Sequence, residues 1–154
     1  MASKNEFWQD VTRQYRAAGK SWPASSGDIA DWAMGNGLWN PKPADIRAQC
    51  CEMISKALRE DHFYDKRGRK VRRNHAVAQG ANGEQFTLWD DIRTAEPKHM
   101  KLAFQQRRRQ ILGDCKQLRN DVDSYNEMRQ PDSPIVMVYN FELDLEEHDL
   151  AMAA

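Results

Sequence analysis

Residues Tyr64–His75 read YDKRGRKVRRNH. Seven of these twelve residues are Lys, Arg or His, and the single acid is Asp65, so the stretch is a concentrated block of positive charge. A lone Gly68 sits in the middle, between two short segments able to form strands, His62–Asp65 and Arg69–Arg72. A three-residue loop of Lys66, Arg67 and Gly68 closes a β-hairpin if the glycine takes a left-handed conformation, which costs it no Cβ clash. The stretch is then either a solvated charged turn, with Asp61 and Asp65 neutralising part of it, or a surface that meets a polyanion.

Three helices are expected before it. Phe7, Val11, Tyr15 and Ala18 repeat at helical spacing over 5–18, Ser3 or Asn5 can cap the start, and Gly19 suits the stop. SWPASSGD breaks the chain, and a second helix is predicted over 26–35, with Ile29, Trp32 and Ala33 on one side. LWNPKP is a stiff connector in which Pro43 is placed to open a third helix over 44–61. Ile46, Cys50, Met53, Ile54, Ala57 and Leu58 draw an apolar stripe along that helix.

Beyond the hairpin, AVAQGANGEQ reads as a loop and Gln85–Trp89 as a further strand. A long helix is predicted from Glu96 to about Met128, with Pro97 in its first turn and Pro131 and Pro134 after its end. Phe104, Ile111, Cys115, Leu118, Val122 and Tyr125 form a heptad-like seam along it, with Arg108 at the missing position. In IVMVYNFELDL, Ile135, Met137, Tyr139, Phe141, Leu143 and Leu145 alternate onto one face, which predicts a terminal strand, and the tail after it is expected to fray. The fold class is therefore mainly α with a small β component. It would comprise a three-helix domain with hairpin over 5–92, an assembly region of long helix and strand over 95–145, and a tail over 146–154.

Composition bounds the function. Lys plus Arg total 23 and Asp plus Glu total 23, so only the distribution of charge is informative. Residues 98–119 hold seven Lys or Arg against Asp114, whereas 140–149 hold five acids and no Lys or Arg. The five Trp argue for a folded chain. Cys50, Cys51 and Cys115 form no CxxC pair and have no His at zinc-ligand spacing, which predicts reduced, partly buried thiols and no metal or cofactor. The N-terminus lacks the apolar core of a signal peptide, and Ile135–Tyr139 is too short to span a bilayer, so a cytoplasmic protein with no membrane contact is expected. No GxSxG, P-loop, HExxH or dinucleotide fingerprint occurs, and GANGEQ is not followed by Lys-Ser/Thr. Asp90 and Asp91 resemble a nuclease pair less than a helix cap. The expectation is a protein that is not an enzyme.

The order of three helices and then a hairpin, over roughly residues 5–92, resembles the winged helix-turn-helix DNA-binding superfamily. The connector GNGLWNPKP is longer than that family's tight turn, and no short strand separates the first two helices. The second half, with FQQRRRQILGDCKQLRNDVDSYNE, resembles uncharacterised bacterial proteins and brings no activity with it. The winged-helix resemblance implies that the third helix enters the major groove and that the hairpin, as a wing, grips the flanking backbone. Arg67, Arg69, Lys70, Arg72 and Arg73 would then contact phosphates of double-stranded DNA, and Gly68 would shape the tip. Arg47 and Gln49, in the first half of the third helix, carry the right donors for guanine and adenine edges, although Asp45 and Glu52 beside them repel phosphate. An ordinary amphipathic helix with a mixed polar face is the competing reading.

RRR at Arg107–Arg109 fans over about 200° of the long helix, so the three cannot share a face. A second phosphate-contacting surface is one reading of the run and stays open for Arg107 and Arg109, whereas Arg108 is expected to pair with an acid or to mark where the seam emerges into solvent. Ile111, Cys115, Leu118, Val122 and Tyr125 are candidates for a homodimer contact, which suits a transcriptional regulator or an accessory subunit of a nucleoprotein complex reading two half-sites. The competing function is a protein-interaction adaptor whose basic hairpin meets an acidic protein partner, or whose own acidic segment from Glu142 to Asp149 covers it.

Overall fold

The computed structural model describes residues 3–153. Five helices and two two-stranded antiparallel sheets make up those residues, a mainly α fold with a small β component as the sequence predicts. The contacts divide the chain into residues 1–56 and 57–154, with the division falling inside the third helix.

In the first unit, α1 (Lys4–Ala17) opens with a capping box. The Ser3 hydroxyl accepts from the Glu6 amide at 3.2 Å and the Glu6 carboxylate accepts from the Ser3 amide at 2.7 Å, satisfying two orphan donors. Val11 and Tyr15 are buried on one face of α1, and Ala33 is buried on α2 (Ser26–Gly35). Trp32 stacks edge-on against Tyr15, with centroids 5.7 Å apart. Ser25 caps α2 by accepting the Asp28 amide. α3 (Pro43–Glu60) begins at the predicted proline, and the Asp45 carboxylate accepts the Lys42 amide and pairs with Lys4.

The apolar stripe expected on α3 is present in the sequence but is not a core. No residue of α3 is buried, and Met53 and Ile54 are 70% and 54% exposed. Cys50 and Cys51 are exposed too, against the expectation of partly buried thiols, whereas Cys115 is half-buried. Periodicity places apolar groups on one side of a helix but does not supply the surface that covers them.

In the second unit, β1 (His62–Tyr64) and β2 (Lys70–Arg72) form the expected hairpin. β3 (Asn74–Ala81) and β4 (Glu84–Asp91) form a second one, in place of the expected loop and shorter strand over Gln85–Trp89. Asn82 and Gly83 both have positive φ, 54° and 78°, the two-residue turn that twists with the strands. Val77 of β3 and Ala103 of α4 (Pro97–Arg129) are buried, and α4 lies against β3.

The predicted terminal strand is absent. Residues 130–141 form neither helix nor strand, and Val136 and Val138 are 85% and 76% exposed. The Asn126 side chain replaces a neighbouring strand at one point, accepting the Ile135 amide at 3.0 Å and donating to its carbonyl at 2.9 Å. The expected frayed tail is instead helical, α5 (Glu142–Ala153). Asn140 starts it by accepting the Glu142 amide at 3.1 Å, and Glu142 and Asp144 lie in the first turn, where the helix dipole favours acids. Alternation over 135–145 suggested a strand, but a capped run of good helix formers prevails from Glu142 onward.

Candidate nucleic-acid interface

The basic hairpin is built around one carboxylate. Asp65 and Arg69 close the loop through the Asp65 amide and Arg69 carbonyl at 3.1 Å, and Gly68 takes φ +76° at the tip. The Asp65 carboxylate accepts the amides of Arg67 and Arg69, each at 3.0 Å, and the Arg69 Nε at 2.7 Å. These donors, led by the Arg69 amide, hold the Asp65 carboxyl below the usual carboxylate range.

The register places Tyr64 opposite Lys70 and His62 opposite Arg72. These four residues therefore share one face of the ribbon, and Phe63 and Val71 share the other. Tyr64 is 71% exposed opposite Lys70, so the first face presents an exposed aromatic ring next to a cation.

The cations of the hairpin divide into two groups. Arg69 is paired with Asp65, and Arg73 with Asp61 at 3.3 Å. Arg73 also stands over the Phe63 ring at 5.2 Å, as does Arg93 at 5.3 Å. Lys66, Arg67, Lys70 and Arg72 have no carboxylate partner among the described residues. Of the five basic residues predicted to meet phosphate, Arg67, Lys70 and Arg72 are thus free of acids, while Arg69 and Arg73 help to hold the hairpin in shape.

At the base of the hairpin the chain turns into β3, and α4 crosses there. His75 is buried, 5% exposed, and its Nε2 donates to the Arg72 carbonyl at 2.9 Å. Its ring meets Phe104 edge-on at 5.3 Å, and His99 Nε2 donates to the His75 carbonyl at 2.8 Å. Two turns along α4 from His99, Gln106 binds both backbone groups of Ala78. Arg107 follows on the same side of α4, half-buried, with its pKa lowered by burial and by the charge of Arg72. His75 is held below its ordinary pKa by burial, with Arg107, Arg72 and His99 adding to the effect. Arg72 and Arg107 are therefore cations that feel each other's charge, with no acid partner among the described residues.

The other predicted positions fall elsewhere. Arg47 and Gln49 are exposed on α3 in the first unit, and Gln49 lines a cleft of about 730 Å³ with Asp45 and Glu52. Arg108 has no acid partner among the described residues and is exposed, which matches the seam emerging into solvent. Asp90 and Asp91 close β4 rather than capping a helix. Asp91 is drawn down to about 2, first by the side-chain hydrogen bond from Arg93 and then by the Arg93 amide. The described residues hold no cluster of three or more His, Cys, Asp or Glu able to take a metal ion, and none of their helices is long and apolar enough to cross a membrane.

Ile111 and Cys115 of the expected dimer seam face the chain's own segment before α5, since both line a groove with Tyr139 and Phe141. Leu118 and Tyr125 are exposed and Val122 is half-buried.

No protein-family model, no curated protein and no solved structure matches this chain.

Proposed function

We propose that this chain is a small, non-enzymatic, cytoplasmic DNA-binding protein, a transcriptional regulator or an accessory subunit of a nucleoprotein complex, acting as a homodimer. In this reading α1–α3 with the β1–β2 hairpin serve as a winged-helix domain, and Arg47 and Gln49 contact base edges. The observation that carries the proposal is the set of unpaired cations Lys66, Arg67, Lys70 and Arg72 on an exposed hairpin, with Arg107 beside Arg72. Half-buried like charges without an acid are unfavourable, and a phosphate between them would relieve both the repulsion and the desolvation. Phosphate contacts are independent of sequence and fix the protein on the duplex, leaving base readout to other residues.

The test is anisotropy of duplex DNA titrated with the full chain over a range of salt. Changing Lys66, Arg67, Lys70 and Arg72 together to Ala should weaken binding to every duplex and flatten log K against log salt by roughly 3.6 units, at about 0.9 per phosphate lost. Unchanged affinity and slope would refute the reading.

A protein-interaction adaptor is the second reading. Its support is the apolar surface left open on α3 and α4, including Met53, Leu112 and Met128. Failure of any duplex to bind, together with self-association or capture of an acidic protein, would favour it.

A further inference from the structure

The chain exposes 13265 Å² of surface. Two compact domains sharing its 17.9 kDa would expose roughly 9,700 Å². The excess is several times the roughly 800 Å² that each partner buries in a typical stable complex. Many large apolar side chains are exposed, and the second unit gathers some of them in two places of opposite charge.

The first place is a groove of about 420 Å³ on α4. Its floor is Ile111, Leu112 and Cys115, walled by Tyr139 and Phe141 of the segment before α5. Arg108, Lys116 and Arg119 form its rim and have no acid partner among the described residues. The second place is α5, whose residues 142–153 are all exposed. At 100° per residue, Leu143 and Leu150 stand on one line of α5, with Glu146 and Glu147 on either side. From Arg108 to Arg119 the groove runs roughly 16 Å, and α5 is roughly 18 Å long. The two surfaces therefore match in length, in apolar centre and in charged border.

We propose that the α4 groove takes the acidic helix α5 of a second copy of this chain. A contact within one chain does not form here, because Phe141 lines the groove and α5 leaves it at Glu142 with every residue exposed. An exchange in which each copy inserts α5 into the other is closed by a twofold axis and satisfies both grooves. This rests on the homodimer reading above and names its contact. It is independent of whether DNA is bound.

The experiment is sedimentation velocity on the full chain at micromolar concentration. The unmodified chain should be a dimer. Lys116→Glu/Arg119→Glu and Glu146→Lys/Glu147→Lys place like charges in both contacts, so each variant alone should self-associate roughly tenfold more weakly or worse. An equal mixture of the two variants restores opposite charges at both contacts and should return the dimer, which a contact within one chain would not do. Leu143→Gln/Leu150→Gln, which leaves the charges in place, should also shift the chain to monomer. A monomeric unmodified chain would overturn the homodimer reading and this contact together. Variants that dimerise like the unmodified chain, or a mixture that stays monomeric, would overturn the α5 contact alone.

Discussion

The Arg69 side chain donates to the carboxylate of Asp65 at 2.7 Å, and the same carboxylate binds the Arg67 and Arg69 amides. The central arginine of the basic stretch thus acts on its own hairpin. Arg73 does likewise through Asp61 and Phe63. The cations of the hairpin should therefore not contribute equally. Arg67→Ala/Arg72→Ala is expected to weaken duplex binding about tenfold more than Arg69→Ala/Arg73→Ala at low salt, measured by anisotropy. Equal losses for the two pairs would contradict this division.

Gln106 places one amide group on both backbone groups of Ala78, accepting its N–H at 2.8 Å and donating to its carbonyl at 3.1 Å. This ties α4 to β3, 28 residues away in sequence. Gln106→Ala should lower stability by about 1 kcal/mol, since two backbone groups return to water. Urea unfolding followed by circular dichroism gives the value, and faster amide exchange at Ala78 should accompany it.

His75 is buried and neutral, with Arg72, Arg107 and His99 as the charged or titratable neighbours that resist its protonation. Its pKa in the fold lies below the ordinary 6.5, so the unfolded chain takes up this proton first as pH falls. The contribution of His75 to stability is full above about 6.5 and declines below it, by at most about 1.4 kcal/mol per pH unit. His75→Gln keeps a donor for the Arg72 carbonyl and should show a smaller loss between pH 7 and pH 5. Urea midpoints across that range are the measurement. Identical pH profiles for the two proteins would remove His75 as the cause.

Cys50 and Cys51 are exposed on α3 and Cys115 is half-buried beside Tyr139 and Phe141. A thiol reagent should therefore modify two cysteines rapidly and the third several-fold more slowly under native conditions. Denaturant should bring the third to the rate of the others. Docking of a second copy's α5 over the groove would slow Cys115 further, so its rate should fall as protein concentration rises.

The sequence by itself determined the local elements. Four of the five helices are bounded by signals that act within a turn: Ser3 with Glu6, Ser25, Pro43 and Pro97. Gly68 set the tip of the basic hairpin in the same way. β3 was less legible, because Ala76, Ala78, Gly80 and Ala81 give no apolar alternation, although Asn82-Gly83 was a usable turn signal. The fifth helix was hidden by a competing period-two pattern over 135–145, and Asn140 was the cue that resolved it.

Only the tertiary structure decided which residues those elements bring together. Arg72, His75, His99 and Arg107 come from a strand end, a second strand and a long helix, and no spacing in the chain connects them. Tertiary contacts also left the stripe on α3 open to solvent, whereas the Arg69–Asp65 pair forms within its own turn. Caps, turns and the ion pairs inside them are settled by neighbours a few residues apart, whereas burial and the meeting of Arg72, His75, His99 and Arg107 depend on groups that come together only after the chain has folded.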